Sequence, residues 1–385
     1  MTAAIPSHSL SPIPFNRSHI PGKALGYMQQ AMENGHISGN GPFTRKCEEM
    51  LGAVLGSKAL LTTSCTDALE MAALLLDIGP GDEVIVPSFT FVSTVNAFVL
   101  RGARAVFCDI RPDTLNMDES ALDRLMTPRT KAIVPVHYAG VGCEMNAILD
   151  LARRHGVAVV EDNAHGLFGT YNGQLLGTFG RFATLSFHET KNISCGEGGA
   201  LLIHQPDDVR RAEILREKGT DRARFFRGEV DKYSWVDLGS SFLPSDLLAA
   251  LLCAQLEERE TIQQARKRIW DCYAAQLHDW AGERKVRLPF VPAHCEQPFH
   301  MFYLLMPSQQ QRDALIAFLK SRNILSVFHY LPLHLSEIAR RFAAAEPFCP
   351  VTEDVSGRLV RLPFYAGLSE DDQMRVVDAI HAFQP

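Results

Sequence analysis

The stretch FATLSFHETKNISCGEGGALLIH, residues 182–204, decides the fold, because two apolar runs flank a lysine and a glycine-rich turn. The runs FATLSFH and GALLIH predict two strands, and Lys191 follows the first of them. Upstream, the run VAVV predicts another strand, and Asp162 follows it in VAVVEDNAHG. Open α/β sheets bind ligands beyond the carboxyl ends of their strands, so both side chains are candidates for a site.

A strand-end aspartate followed by a strand-end lysine indicates pyridoxal phosphate (PLP) chemistry. A lysine amine condenses reversibly with the aldehyde of this cofactor, while an aspartate keeps the pyridine nitrogen protonated so that the ring accepts electrons. Lys191 and Asp162 are therefore predicted as the catalytic pair. Taken singly, Lys191 also fits a solvated surface lysine, and Asp162 fits a helix cap or a surface carboxylate.

From about residue 58, short apolar runs alternate with amphipathic stretches, which predicts βαβ units and a mainly parallel sheet. The predicted strands are LLTTS, EVIVPSF, RAVFCDI, KAIVPVHY and VAVVED, and the predicted helices are DALEMAALLLDIG, STVNAFVLRGA, DESALDRLM and MNAILDLARRHG. Glycines in LDIG, LRG and RRHG are expected to end helices in the left-handed conformation.

A chain of 385 residues exceeds the usual size of one compact core, so two domains are expected. We predict a loose arm over 1–15, a large PLP-binding domain over 16–250 and a small α+β domain over 251–385. A helical stretch from about Asp246 to His278 is expected to join the domains. In the small domain, FHMFYLLM and SVFHYLP predict strands, and RDALIAFLKSRN and EDDQMRVVDAIHAFQ predict helices.

Composition excludes several classes of protein. Hydrophobic residues at 46% and charged residues at 21% are typical of a globular protein. The net charge of -6 argues against binding driven by nucleic acid phosphates. No apolar run reaches the roughly 18 residues that span a bilayer, and residues 1–15 lack the features of a signal peptide, so we expect a cytoplasmic protein. The nine cysteines show no metal-ligand spacing and are expected to be reduced thiols, with no metal site.

The segment TTSCTDALEM places hydroxyls and free amides at a predicted strand-to-helix junction. A helix N-terminus favours an anion, so Ser64 and Thr66 are candidates for holding a phosphate. Taken alone, the segment is also explained by simple capping by Ser64, with Asp67 three residues later. His165, in EDNAHG, is a candidate site residue or a structural histidine.

Seven stretches together resemble the sugar aminotransferase family of PLP enzymes. The stretches are GNGPFTRKCEEML, TSCTDALEMAALLL, PSFTFVSTVNAF, VPVHYAG, VVEDNAHG, SFHETKN and GEGGAL. The resemblance covers almost the whole chain and implies an α/β fold of fold-type I, like that of aspartate aminotransferase. It also implies a homodimer, since the active sites of the family lie between subunits.

The resemblance assigns roles to individual residues. Lys191 would bind the cofactor and then carry the proton between substrate and cofactor carbons, and Asp162 would pair with the pyridinium nitrogen. His165 would lie near the ring hydroxyl and Phe91 would stack on the ring, although Phe91 also fits ordinary core packing. The residues expected to hold the phosphate are Ser64, Cys65, Thr66 and Ser186.

Two further sets of residues are expected to contact the phosphate or the substrate. Many relatives carry an Asn that reaches the phosphate of the partner subunit; Ser241 of GSSFLP occupies that place and has a shorter reach. Basic side chains of the preceding loop are candidates for a substrate diphosphate, or form a solvated charged surface. They are Arg222, Arg224, Arg227 and Lys232. His329 and Tyr330 of FHYLPLH fit either substrate contact or packing.

The resemblance implies transfer of an amino group from L-glutamate to a nucleotide-linked keto sugar. FRGEVDKYSWVDLGSS, MAALLLDI, VNAFVLRGA and VFHYLPLH favour conversion of dTDP-4-dehydro-6-deoxy-D-glucose to dTDP-4-amino-4,6-dideoxy-D-galactose. The alternatives are transfer to another nucleotide-linked 3- or 4-keto sugar and a non-catalytic protein that senses sugars. Dehydratases of the same family have His in place of the lysine, so Lys191 favours transamination. Proton transfer needs a neutral amine, so burial and the cofactor environment are expected to favour neutral Lys191.

Overall fold

The computed structural model describes residues 11–384, so residues 1–10 of the predicted arm lie outside the described part. The α-helices are α1 (Ala24–Glu33), α2 (Pro42–Leu55), α3 (Cys65–Leu75), α4 (Ser93–Val99), α5 (Leu122–Leu125), α6 (Met145–His155), α7 (Pro206–Arg216), α8 (Arg222–Phe226), α9 (Asp246–Glu257), α10 (Arg259–Glu283), α11 (Gln309–Ser321), α12 (Ala339–Phe342), α13 (Pro350–Arg358) and α14 (Glu370–His381). The strands are β1 (Lys58–Thr62), β2 (Glu83–Pro87), β3 (Arg104–Cys108), β4 (Thr130–Ile133), β5 (Ala158–Asp162), β6 (Thr170–Tyr171), β7 (Gln174–Leu175), β8 (Phe182–Ser186), β9 (Gly199–Ile203), β10 (Cys295–Glu296), β11 (Tyr303–Leu305) and β12 (Leu359–Arg361).

A seven-stranded sheet in the order β1-β9-β8-β5-β4-β2-β3 forms the centre of the protein. Strands β3, β2, β4, β5 and β8 run parallel, whereas β9 runs antiparallel to both β8 and β1. The mainly parallel sheet expected from the sequence is therefore present. Asp162 pairs with Thr184 across β5 and β8, so the ends of these two strands lie side by side.

The close contact between β9 and the start of α3 explains the glycine-rich turn. Thr62 and Ser186, on the two neighbouring strands, both lie opposite Gly199. A Cβ atom at Gly199 would collide with the backbone of Ser64 and Cys65. Glycine here allows the N-terminus of α3 to approach the sheet beside the segment that carries Lys191.

Two local predictions are wrong and a third is refined. The helical stretch predicted from about Asp246 to His278 is two helices, α9 and α10, separated at Glu258. Helix α9 and Ile262, near the start of α10, pack into a core with α2 and the sheet, while α10 from Ile269 onward packs into the C-terminal core. SVFHYLP forms no strand; only Val327 makes a single bridge, to Arg361. After α3, it is Asp77, with φ 53°, that takes the left-handed conformation rather than Gly79, whereas Gly156 ends α6 as expected, with φ 65°.

A C-terminal core collects side chains from α10, β11, α11, β12 and α14. Ile13 belongs to it: the side chain is fully buried, and its backbone pairs with Asn323 and Leu325. Residues 11–15 of the predicted arm therefore include a packed contact. The division of the chain at residue 250 remains a prediction.

None of the helices in the described part of the chain combines the length and apolar character needed to cross a membrane.

Candidate active site

A cavity of about 750 Å³ opens beyond the ends of β5 and β8. It is lined by residues from the sheet, from the N-termini of α3 and α4, and from the C-terminal segment. Ten of the residues predicted from the sequence line it, and they are Ser64, Cys65, Thr66, Phe91, Asp162, His165, Ser186, Lys191, His329 and Tyr330. Residues far apart in the sequence are thus brought to one site.

Lys191 reaches the cavity from the turn that follows β8. Its amine has no hydrogen-bond or ion-pair partner among residues 11–384. Burial is the largest influence on this group and lowers the pKa of Lys191 to about 8, although the nearby Asp162 carboxylate acts in the opposite direction. The direction agrees with the expectation of a neutral amine, because an ammonium loses hydration in a buried site.

Asp162 is buried at the end of β5 and is held by two donors. Thr94 Oγ1 donates to its Oδ2 atom at 2.7 Å, and the Ala164 amide donates to its Oδ1 atom at 3.2 Å. The Thr94 hydroxyl also lies 2.8 Å from that of Thr90. These contacts fix the carboxylate in one orientation at the cavity wall.

The N-terminus of α3 forms a second wall. Ser64 Oγ accepts a hydrogen bond from the Asp67 amide at 3.1 Å, so the capping explanation is correct for this residue. Thr66 Oγ1 donates to Ser93 Oγ at 2.7 Å, which links the starts of α3 and α4. All of Ser64, Cys65 and Thr66 still face the cavity, so capping and anion binding are compatible here.

Stacked imidazoles form the third wall. The His165 ring lies parallel to that of His300, with centroids 4.2 Å apart, and the Nδ1 atom of His165 is buried with no partner in the described chain. His329 Nδ1 lies 2.9 Å from the Tyr138 hydroxyl. Burial, reinforced by nearby cations, holds the pKa values of His165, His300 and His329 well below the usual range, so these rings are neutral.

Several residues of the site were missed from the sequence. Thr94 contacts Asp162, His300 stacks on His165, and Arg361 lines the cavity. His300 and Arg361 lie in the apolar stretches FHMFYLLM and LVRLP. A polar side chain inside an apolar stretch was the available signal, since such residues, when buried, need a partner or a role.

The basic loop and Ser241 lie outside the cavity lining of this single chain. The three arginines pair with carboxylates of their own subunit: Arg222 with Glu217 at 3.9 Å, Arg224 with Glu229 at 3.1 Å and Arg227 with Glu213 at 2.9 Å. Lys232 is exposed. Ser241 is exposed and its backbone forms a bridge with Glu217. The single chain therefore does not bring these residues to Lys191.

The chain is similar to known proteins over nearly its whole length. The spore coat polysaccharide biosynthesis protein SpsC from Bacillus subtilis is 33% identical over 377 residues, which cover 96% of each chain. The aminotransferase TlmJ from Streptoalloteichus hindustanus superposes with a TM-score of 0.88 at 30% identity, over 96% of this chain and 98% of that one. The protein Spr1654 from Streptococcus pneumoniae, in its PLP form, superposes with a TM-score of 0.88 at 26% identity, over 96% and 97% of the two chains.

These matches confirm the predicted fold-type I architecture, like that of aspartate aminotransferase. The profile of one family also matches this chain across residues 19–381. The matched range contains every residue of the predicted site. The chain therefore belongs to the DegT/DnrJ/EryC1/StrS aminotransferase family.

Proposed function

We propose that this protein is a PLP-dependent aminotransferase that moves an amino group from L-glutamate to a nucleotide-linked keto sugar. The observation that carries the proposal is that Asp162, at the end of β5, and Lys191, in the turn after the neighbouring strand β8, line one cavity with the N-terminus of α3. This is the arrangement of amine, carboxylate and anion site that PLP requires. Membership of an aminotransferase family supports it.

The residues present fit PLP. The amine of Lys191 would condense with the aldehyde of PLP, and Asp162 would hold the proton on the ring nitrogen of PLP. A ring nitrogen of His165, either the unpartnered Nδ1 atom or Nε2, would contact the ring hydroxyl of PLP. Phe91 is 56% exposed, which leaves an aromatic face free to cover the ring. The phosphate would lie among Ser64, Cys65, Thr66 and Ser186. Spr1654, a solved relative, is known in both a PLP form and a PMP form.

The chemistry of the cofactor is to store electrons released when a bond to the substrate carbon breaks. Lys191 Nζ then acts as the base and acid that moves the proton, and its lowered pKa keeps a useful fraction of the amine neutral. Asp162, oriented by Thr94, would be the partner of the ring nitrogen. The neutral imidazoles of His165 and His300 add no competing positive charge.

For the substrate we propose dTDP-4-dehydro-6-deoxy-D-glucose, converted to dTDP-4-amino-4,6-dideoxy-D-galactose. The stretches FRGEVDKYSWVDLGSS and VFHYLPLH support this choice by resemblance, and His329 and Tyr330 of the second stretch line the cavity. The name of SpsC states that it acts in polysaccharide biosynthesis. We propose that this protein also acts in polysaccharide biosynthesis and that it does so in the cytoplasm. A different 3- or 4-keto sugar is the alternative substrate.

We further propose a homodimer in which the loop of one subunit reaches the cavity of the other. Large apolar side chains of this loop are exposed in the single chain, among them Phe226 at 65% and Trp235 at 78%. Exposed apolar surface of this kind favours a subunit contact. Arg222, Arg224, Arg227 and Lys232 would then meet a substrate diphosphate of the partner, and Ser241 would approach its phosphate.

The test is an assay of the PLP-loaded protein with glutamate and a panel of dTDP-, UDP- and GDP-linked keto sugars, with NMR identification of the amino sugar. We expect 2-oxoglutarate and the 4-amino sugar from the dTDP substrate. Acceptance of only a UDP or GDP sugar would refute the proposed substrate and leave the transaminase intact. A protein that binds PLP but transfers no amine to any member of the panel would favour a sensor instead.

A further inference from the structure

Residues 13–19 form a segment that runs along the turn after β8, and the rest of the chain anchors this segment at both ends. At one end the Phe15 carbonyl accepts a hydrogen bond from the Phe364 amide at 3.1 Å. At the other end the His19 carbonyl accepts from the side-chain amide of Gln255, which belongs to α9. The residues between Phe15 and His19 are therefore held in place where they meet the turn.

Two side chains of this segment donate to one backbone carbonyl of the turn. Asn16 Nδ2 donates to the Glu189 carbonyl oxygen at 3.1 Å, and Ser18 Oγ donates to the same oxygen at 3.0 Å. A carbonyl oxygen has two lone pairs, so it can accept both hydrogen bonds together. Glu189 stands just two positions before Lys191. The backbone that leads into the lysine is therefore held by two donors from a distant part of the chain.

The backbone that follows the lysine is held separately. Asn192 Nδ2 donates to the Pro298 carbonyl at 2.6 Å, and Asn192 Oδ1 lies 2.9 Å from His300 Nδ1. Between these attachments, the Lys191 amide donates to the His188 carbonyl at 2.9 Å. The turn is thus fixed on both sides of the residue that reaches into the cavity.

The bonds to the Glu189 carbonyl lie near the protein surface. Asn16 and Ser18 are only half-buried, and Glu189 itself is exposed. Water could occupy the same carbonyl, and a hydrogen bond that replaces water adds little net stability. The main effect of the two donors is therefore on the position of the turn.

We propose that Asn16 and Ser18 are positioning residues that act through the Glu189 carbonyl and keep Lys191 Nζ within reach of the reacting atoms. A misplacement of about 1 Å, even one caused far from the chemistry, can slow a reaction about 100-fold. The inference rests on the attachment of PLP to Lys191 in the proposed function. Asn16 lines the cavity, whereas Ser18 lies outside its lining, so Ser18 separates an effect on the lysine from a contact with a ligand.

The first experiment measures how fast apoprotein captures PLP at saturating PLP, by stopped-flow absorbance. Ser18→Ala and Asn16→Leu should each slow capture about 2- to 10-fold, the range for one hydrogen bond, and the double variant should be slower than either. Ser18→Thr keeps the hydroxyl and should restore the wild-type rate. Ser321→Ala is the matched control, because Ser321 Oγ donates to the Phe318 carbonyl at 2.7 Å, away from the cavity lining. A wild-type rate in the double variant would overturn the inference.

The second experiment asks whether the effect passes through Lys191. The PLP dissociation constant is measured for wild type and for Lys191→Ala, each with and without the double substitution Asn16→Leu/Ser18→Ala. In wild type the double substitution should weaken PLP binding about 10-fold. In Lys191→Ala it should change nothing, because no lysine remains to be positioned.

Equal weakening in both backgrounds would refute a positioning role, because Asn16 would then contact the cofactor directly or the segment would only stabilise the fold. Neither experiment needs an amino donor or a sugar. A wild type that captures PLP but transfers no amine would therefore refute the proposed transaminase and leave this inference intact.

Discussion

Thr94 donates its hydroxyl hydrogen to Asp162, with 2.7 Å between Oγ1 and Oδ2. Because that hydrogen is used, the hydroxyl of Thr90, 2.8 Å away, must donate to Thr94 rather than accept from it. A chain of two threonines, both at the start of α4 or just before it, thus orients the carboxylate at the end of β5. The orientation of the Asp162 carboxylate therefore depends on helix α4 as well as on strand β5, which carries Asp162.

Thr94→Val should weaken PLP binding about 10-fold, because a hydrogen bond to a charged group is lost while side-chain volume is kept. Fluorescence or absorbance titration of apoprotein with PLP measures the dissociation constant. Thr178→Val is the matched control, since Thr178 Oγ1 donates to the Leu175 carbonyl, away from the cavity lining. Wild-type affinity in Thr94→Val would show that Asp162 needs no support from α4.

Lys191→Ala should abolish the absorbance band of bound PLP and reduce amino transfer by several orders of magnitude, because neither covalent attachment nor proton transfer can occur. Spectra of the purified protein with added PLP, together with the transfer assay, test this. Lys131→Ala removes an exposed lysine of β4 and should leave both signals unchanged. A wild type with no such band would exclude the enzyme altogether.

The rate at which apoprotein takes up PLP should rise as the pH increases through about 8. Only the neutral amine of Lys191 condenses with an aldehyde, and burial lowers the pKa of this group to about 8. Stopped-flow absorbance at constant ionic strength measures the rate between pH 6.5 and 9.5. A midpoint near that of an ordinary lysine, about 10.4, would contradict the lowered pKa.

Glu257→Gln should destabilise the protein at pH 7 by about 1 kcal/mol, a value reduced for the exposure of its lysine partners. Burial alone would raise the pKa of Glu257, but hydrogen bonds from Lys23, Lys46 and Tyr27 outweigh it and lower the pKa from 4.5 to about 2. A lowered folded-state pKa stabilises the protein above pH 4.5, and this stabilisation is lost as the pH falls toward 2.

Urea unfolding at several pH values tests this effect. The difference between wild type and Glu257→Gln should shrink steadily below pH 4.5, whereas Glu337→Gln, at an exposed position, should follow wild type throughout. A difference that is independent of pH would show that packing of α1 against α9, rather than the carboxylate charge, accounts for the loss.

The central part of the site was predictable because it depends on local patterns. Lys191 and Asp162 each follow an apolar run, and parallel strands place the ends of such runs together, so their meeting at one cavity follows from topology. The resemblance to the family then assigned roles to His165 and Phe91, which both line the cavity. Their chemical roles remain predictions.

The remaining features depend on contacts between distant segments. Arg361 enters the site through its pairing with Tyr303 and Val327, which no local pattern specifies. SVFHYLP has the alternation of a strand but finds one bridge instead of a ladder, so its residues line the cavity as an extended segment. The helix is interrupted at Glu258, and α10 from Ile269 onward packs in a different core from α9. Helical periodicity alone reveals neither feature.

Ile13 packs in the same core as α10, α11 and α14, although most of the chain lies between them. The C-terminal core is therefore built from segments that are discontinuous in sequence, since every strand of the central sheet lies between Ile13 and α10 along the chain. A fragment that begins at residue 251 would lack Ile13 and would therefore leave a cavity in this core.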